Sequence, residues 1–123
     1  MPRVPLIAIV DDDDALRNSL DDLIRSVGLR TQAFSSAEAF VKSNQAGDTA
    51  CLILDVRMPG MNGLELQHQI IAANGRIPII FISAHADDDA RARALAAGAV
   101  AFLYKPFHEE ELLAAIEGAL QNS

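Results

Sequence analysis

A single cysteine, Cys51, denies this chain any internal disulfide, and tryptophan is absent altogether. Cys51 lies in the run Cys51-Leu52-Ile53-Leu54, where a buried, inert thiol is expected, and a reducing cytoplasm is the compartment such usage fits. Apolar runs are short, and none approaches the ~20 residues that cross a bilayer. The opening Met1-Pro2-Arg3-Val4-Pro5 carries no small-residue cleavage site, so no secretory signal is expected. Basic residues are few: 10 Lys plus Arg face 17 Asp plus Glu, a net charge of −7. Direct nucleic-acid binding is excluded on that balance, because phosphate contacts need Lys and Arg. Also missing are a Gly-rich turn after the first apolar run and any Gly-Lys-Ser/Thr loop. Those absences exclude a dinucleotide-binding module and a Walker-type ATPase.

What is present is an alternation. Leu6 to Val10, Cys51 to Leu54, Ile79 to Ile82 and Val100 to Leu103 are continuous apolar runs, the pattern of strands buried on both faces. Arg30 to Phe34 is more mixed and reads as an edge strand. Between them, Leu16, Leu20, Leu23, Ile24 and Val27 share one helical face, with Gly28 as the stop. Ser35 with Glu38, and Asn62 with Glu65, have capping-box spacing. Ala90 to Ala97 is helix-prone with one large apolar residue, Leu95, and should be weakly anchored. Glu109 to Glu111 suit the first turn of a last helix buried through Leu112, Leu113, Ile116 and Leu120. At 123 residues this is one domain, 1–123, with strand and helix alternating five times. The fold class is α/β: a doubly wound parallel sheet with helices on both faces.

Such sheets bind ligands at the carboxyl ends of their strands. Those ends carry Asp11-Asp12, Asp55, Ser83 and Tyr104-Lys105-Pro106. Three carboxylates about 4 Å apart repel by several kcal/mol per pair, so one must hold a proton or the group must bind a cation. Hard oxygen ligands without a His or Cys cluster favour Mg²⁺ over zinc, with waters and a phosphate completing the shell. Lys105 and Ser83 are placed to hold phosphate oxygens, and one carboxylate remains as a nucleophile. Asp13 or Asp14 serves as the cap of the first helix.

These residues resemble a known family. Ile7-Ala8-Ile9-Val10-Asp11-Asp12, Asp55-Val56-Arg57-Met58-Pro59-Gly60-Met61-Asn62-Gly63, Ser83-Ala84 and Lys105-Pro106-Phe107 look like the receiver domains of two-component response regulators. The resemblance covers essentially the whole chain, and its wording is similar to the rhizobial nitrogen-fixation regulator subgroup. It implies a five-stranded flavodoxin-like (βα)5 fold in three α/β/α layers, with strand order 2-1-3-4-5. It implies that Asp55 accepts a phosphoryl group from a sensor histidine kinase or phosphotransfer protein, with Mg²⁺ (or Mn²⁺) as cofactor. By the same resemblance Asp12 and Asp55 bind the metal directly, Asp11 through water, and Arg57 through its backbone carbonyl. Lys105 would contact the phosphoryl oxygens, and its bond to Pro106 would be cis. Ser83 would swing toward the phosphoryl group, freeing space beneath Ala84-His85-Ala86 for Phe102 to move inward. Arg57 and His85 would tune phosphoryl lifetime, or simply face solvent. Arg17, Asn18 and Asp21 would form the kinase docking surface. The output partner or domain would read the fourth helix, fifth strand and fifth helix, with homodimerisation on phosphorylation as one outcome. His68 and His108 are expected to be exposed helix residues. The domain would be a switch and no general enzyme, catalysing only its own phosphoryl uptake and slow self-dephosphorylation. The competing readings are an Asp-nucleophile phosphatase, disfavoured because its Asp would follow the first strand, and an interaction module that works without phosphorylation.

Overall fold

The computed structural model describes residues 4–85 and 87–121. Met1, Pro2, Arg3, Ala86, Asn122 and Ser123, on which parts of the sequence reading fall, lie outside the described residues. Five strands, β1 (Leu6–Val10), β2 (Arg30–Phe34), β3 (Thr49–Asp55), β4 (Ile79–Ser83) and β5 (Ala101–Tyr104), alternate with five α-helices. These are α1 (Asp14–Ser26), α2 (Ala37–Lys42), α3 (Gly63–Ala72), α4 (Asp88–Ala96) and α5 (Glu109–Gln121). The strands form one parallel sheet in the order β2-β1-β3-β4-β5. β2 is an edge strand, as its mixed composition required, and β1, β3 and β4 are buried through almost every residue.

Side chains alternate across the sheet, and this divides the core. Ala8, Val10, Leu52, Leu54, Phe81 and Phe102 face Phe40, Leu66 and Ala94 of α2, α3 and α4. Ile7, Ile9, Ile53, Ile80 and Ile82 face Leu20, Ile24, Leu112 and Ile116 of α1 and α5. The result is the three-layer sandwich expected. Cys51 is fully buried in the second layer, and burial pushes its thiol up to about 12.

Local signals hold with corrections. Asp13 caps α1 by accepting from Ala15 and Leu16, and Gly28 follows at φ +89°. Val27, expected on the buried face of α1, is 52% exposed because it stands at the C-cap, past the last helical turn. The Asn62–Glu65 capping box forms in both directions. The Ser35–Glu38 box does not: Ser36 is the N-cap, accepting from Ala39, and Glu38 reaches the Met61 amide instead. α4 is anchored by Ala90 and Ala94, with Leu95 only half-buried, so its purchase on the sheet is small. No described helix is long and apolar enough to cross a membrane.

Candidate functional site

Register builds the site. Val10 pairs with Leu54, Asp55 with Ile82, and Ser83 with Tyr104. The residues just beyond or at those pairs therefore emerge together at one end of the sheet. Asp11, Asp12 and Asp55 each offer a carboxylate oxygen, all within 4.8 Å of one another. Asp11 and Asp55 are buried and Asp12 is exposed, so the cluster is a shallow cup with one open wall. Lys105 reaches into it from the end of β5, its Nζ 3.1 Å from Asp11 Oδ2 and 3.9 Å from Asp55 Oδ2. The Lys105–Pro106 peptide bond is cis.

The acid pair carries the electrostatic load. Burial first, and the Asp11 carboxylate second, push the Asp55 carboxyl up to about 7. Lys105 and the Arg57 amide pull the other way without restoring an ordinary carboxylate value. One ammonium against three carboxylates leaves the cup short of positive charge. The donor set is all oxygen and partly open to water, and the raised Asp55 carboxyl marks the deficit. These residues fit a hard divalent cation such as Mg²⁺ that keeps some of its waters.

Backbone contacts hold the cup in shape. Asp11 Oδ1 accepts from the Asp13 amide at 2.9 Å. The Arg17 guanidinium donates to the Asp11 carbonyl at 2.8 Å and pairs with Asp14. Gly63 closes the β3–α3 loop by donating to the Val56 carbonyl at 2.9 Å. A Cβ on Gly63 would penetrate the Asp55 carbonyl oxygen and come within 3.1 Å of the Phe81 ring.

Other residues singled out from sequence stand apart from the cup. Ser83 is buried at the end of β4, and its hydroxyl is engaged with the backbone of His85, donating at 3.0 Å and accepting at 3.1 Å. His85 is exposed. The Arg57 side chain turns away from Asp55 to Asp87 at 2.9 Å. Asp87 caps α4 through Ala90 at 3.0 Å. Phe102 is buried, stacked at 5.9 Å on Phe81 and tilted at 5.3 Å against Tyr104, while the Tyr104 hydroxyl lies 3.4 Å from Asp88. Of the proposed docking surface, Asn18 is exposed, but Arg17 is turned inward onto the site and Asp21 holds the Thr31 hydroxyl and Arg25. Their charge made them look solvent-facing, yet both sit on the flank of α1 that borders the sheet. His68 and His108 are exposed, His68 within α3 and His108 just ahead of α5.

The sequence reading missed four contacts: Arg17 on the Asp11 carbonyl, Glu38 on Met61, Arg57 on Asp87, and Gln67 of α3 on the Ala94 carbonyl at 3.0 Å. Three of them span more than twenty residues, and nothing in local spacing signals them.

Known proteins agree with this geometry. The family described as response regulator receiver domain matches residues 7–117. The response regulator protein TodT of Pseudomonas putida is 50% identical over 119 residues, 97% of this chain and 52% of that protein. The transcriptional regulatory protein FixJ of Azorhizobium caulinodans is 37% identical over 123 residues, 100% of this chain and 58% of its own length. The chain thus spans about half the length of the curated relatives it matches. The crystal structure of FixJ-N superposes with a TM-score of 0.88 at 35% identity, covering 99% of this chain and 98% of that one. The strand order, the acidic cup at the strand ends and the match along nearly the whole chain lead to one conclusion: this chain belongs to the response regulator receiver domain family of two-component systems.

Proposed function

We propose that residues 1–123 form a single receiver domain in which Asp55 is the phosphoacceptor, and that phosphorylation there controls an output. The observation that carries this reading is the Asp11–Asp12–Asp55 cup with Lys105 at its wall. Asp55, the last residue of β3, is one of the two buried members of the cup, and the exposed Asp12 leaves one side open. In the transfer, a carboxylate oxygen of Asp55 attacks phosphorus, the bond from phosphorus to the donor nitrogen breaks, and the released imidazole keeps that electron pair. Lys105 holds a phosphoryl oxygen and offsets the incoming charge. Asp12, Asp55 and the backbone carbonyl of Arg57 would hold Mg²⁺ directly and Asp11 through water, with Mn²⁺ as a substitute. When bound, the cation neutralises the carboxylates and the phosphoryl oxygens, which makes an anionic nucleophile and an anionic substrate compatible.

Signalling follows from the new charge beside β4. Ser83 exchanges its bonds to His85 for one to the phosphoryl group, and the released loop lets α4, held mainly by Ala90 and Ala94, move against Phe102. The α4–β5–α5 surface then presents a changed face to an output domain or partner, or to a second copy. The phosphoryl donor is a sensor histidine kinase or phosphotransfer protein in the cytoplasm. The domain acts as a switch whose only catalysis is its own phosphoryl uptake and slow self-dephosphorylation, with Arg57 and His85 influencing that lifetime.

The test is intact mass after incubation with acetyl phosphate and Mg²⁺. One added phosphoryl group is expected, lost in Asp55→Asn and lost without metal. Uptake that persists in Asp55→Asn would overturn the assignment. No uptake, together with no response to beryllofluoride, would favour a module that signals by binding alone.

A further inference from the structure

The segment from Arg57 to Asn62 leads from the phosphoacceptor to α3, and its backbone is held from outside at few points. Gly60 turns at φ +76°. The next amide, Met61, has its partner on a different element: Glu38 Oε2 of α2 accepts it at 3.0 Å. The Glu38 carboxyl also backs the turn, since a Cβ on Gly60 would run into it. The following amide, Asn62, is taken by Glu65 at 2.9 Å within the capping box. At the far end Gly63 bonds back to Val56 and abuts the Asp55 carbonyl. Glu38 is therefore the one described side chain from outside the β3–α3 segment and its own helix that pins this loop's backbone amides. Charge-assisted bonds of this kind are the stronger sort, and the Met61 amide is the leading cause holding the Glu38 carboxyl below its usual range.

We propose that Glu38 is a positioning residue for the phosphoacceptor site: by holding Met61 and the Gly60 turn, it fixes the path of the Arg57–Met61 backbone beside Asp55. This rests on the proposed function in one respect, that the Arg57 carbonyl belongs to the cation site. Residues that orient a metal's ligands typically matter by 10–100-fold in affinity. Glu38 is exposed and acts on backbone, so about the lower of those values is expected.

Three variants separate positioning from stability. Glu38→Ala removes the acceptor. Glu38→Gln keeps an acceptor oxygen without the charge. Ser36→Ala removes the α2 cap on Ala39 and leaves the loop contact alone. The first readout is hydrogen exchange of the Met61 amide in metal-free protein, which should quicken about tenfold in Glu38→Ala and recover in Glu38→Gln. The second is Mg²⁺ titration followed by NMR, where Glu38→Ala should weaken binding by about tenfold, Glu38→Gln should restore most of it, and Ser36→Ala should bind as wild type. Wild-type exchange and Mg²⁺ affinity in Glu38→Ala, or equal weakening in Ser36→Ala, would overturn the inference. Failure of the wild type itself to bind Mg²⁺ would instead overturn the proposed cation site, and the inference with it.

Discussion

Lys105 Nζ stands 3.1 Å from Asp11 Oδ2, on the same side of the cup as Asp55, to which it is 3.9 Å. The ammonium is thus closest to the carboxylate that is wholly buried and only within long reach of the proposed acceptor. One cation offsets the Asp11 charge and lies in position to turn toward oxygens arriving on Asp55. The same charge opposes a second cation entering the cup.

Lys105→Met separates those two effects. Removing the ammonium should tighten Mg²⁺ binding, because the carboxylates lose their competing cation. It should also slow phosphoryl uptake from acetyl phosphate by about a hundredfold, the cost typical of losing one donor to a developing charge. Metal titration and mass-detected uptake on the same protein measure both. Weaker Mg²⁺ binding in the variant would contradict this electrostatic account.

The raised Asp55 carboxyl gives stability a pH dependence of definite sign. In the unfolded chain an ordinary Asp loses its proton near 3.8, whereas the folded domain retains it up to about 7. Between those values the native state binds more protons, so metal-free stability falls as pH rises. Glu38 and Asp87 are shifted downward, and what they contribute is present once pH exceeds their ordinary range. A window from pH 5.5 to 8 therefore isolates Asp55. In EDTA the urea midpoint should drop across that window, Asp55→Asn should flatten the drop, and Mg²⁺ at pH 8 should restore it. A midpoint equal at both ends in the wild type would contradict the shift.

Arg57 and Asp87 link the acceptor loop to the start of α4, and the two halves of Asp87 do different work. Its Oδ1 caps α4 and its Oδ2 meets the guanidinium. The ion pair is largely exposed on the Arg57 side, and such pairs contribute roughly 0.2–1 kcal/mol. A lost cap costs about 1 kcal/mol. Asp87→Ala should therefore destabilise more than Arg57→Ala, and Asp87→Ser, which keeps a capping oxygen, should recover most of the loss. Chemical denaturation of the three variants decides the order.

How much of this was legible in the sequence depends on the range of the interaction. Ile7 to Val10, Leu52 to Leu54 and Ile79 to Ile82 are apolar on consecutive residues, the pattern of strands covered on both faces. Once those strands are parallel, Asp11, Asp12, Asp55 and Lys105 must emerge at one end, so their convergence needed no coordinates. Single-residue offsets were harder. Ser35 and Ser36 are both good caps, and only the backbone path after Phe34 selects Ser36, which frees Glu38 for the loop. Val27 fits the periodicity of α1 but falls after its last turn. From sequence Arg17 belongs to a docking surface and Arg57 either tunes phosphoryl lifetime or faces solvent, because nothing in linear order brings them to the Asp11 carbonyl or to Asp87. Long flexible side chains are placed by the folded surface, and pattern alone does not reach them.

Gly63 carries the last prediction, and it concerns space more than flexibility. It is buried at the start of α3, against the Asp55 carbonyl and 3.1 Å, by an added Cβ, from the Phe81 ring. Alanine there forces the start of α3 and the Asp55 backbone apart and presses on the ring that stacks on Phe102. Overpacking of this kind costs about 1–3 kcal/mol. Gly63→Ala should lower the urea midpoint accordingly, whereas Gly47→Ala, where a Cβ meets nothing within 4 Å, should stay within roughly 0.5 kcal/mol of wild type. Because the closest clash is with the Asp55 carbonyl, Gly63→Ala should also weaken Mg²⁺ binding, measured without urea at a temperature where the variant remains folded. A variant with reduced stability and unchanged Mg²⁺ affinity would mean that the start of α3 shifts instead, leaving Asp55 in place.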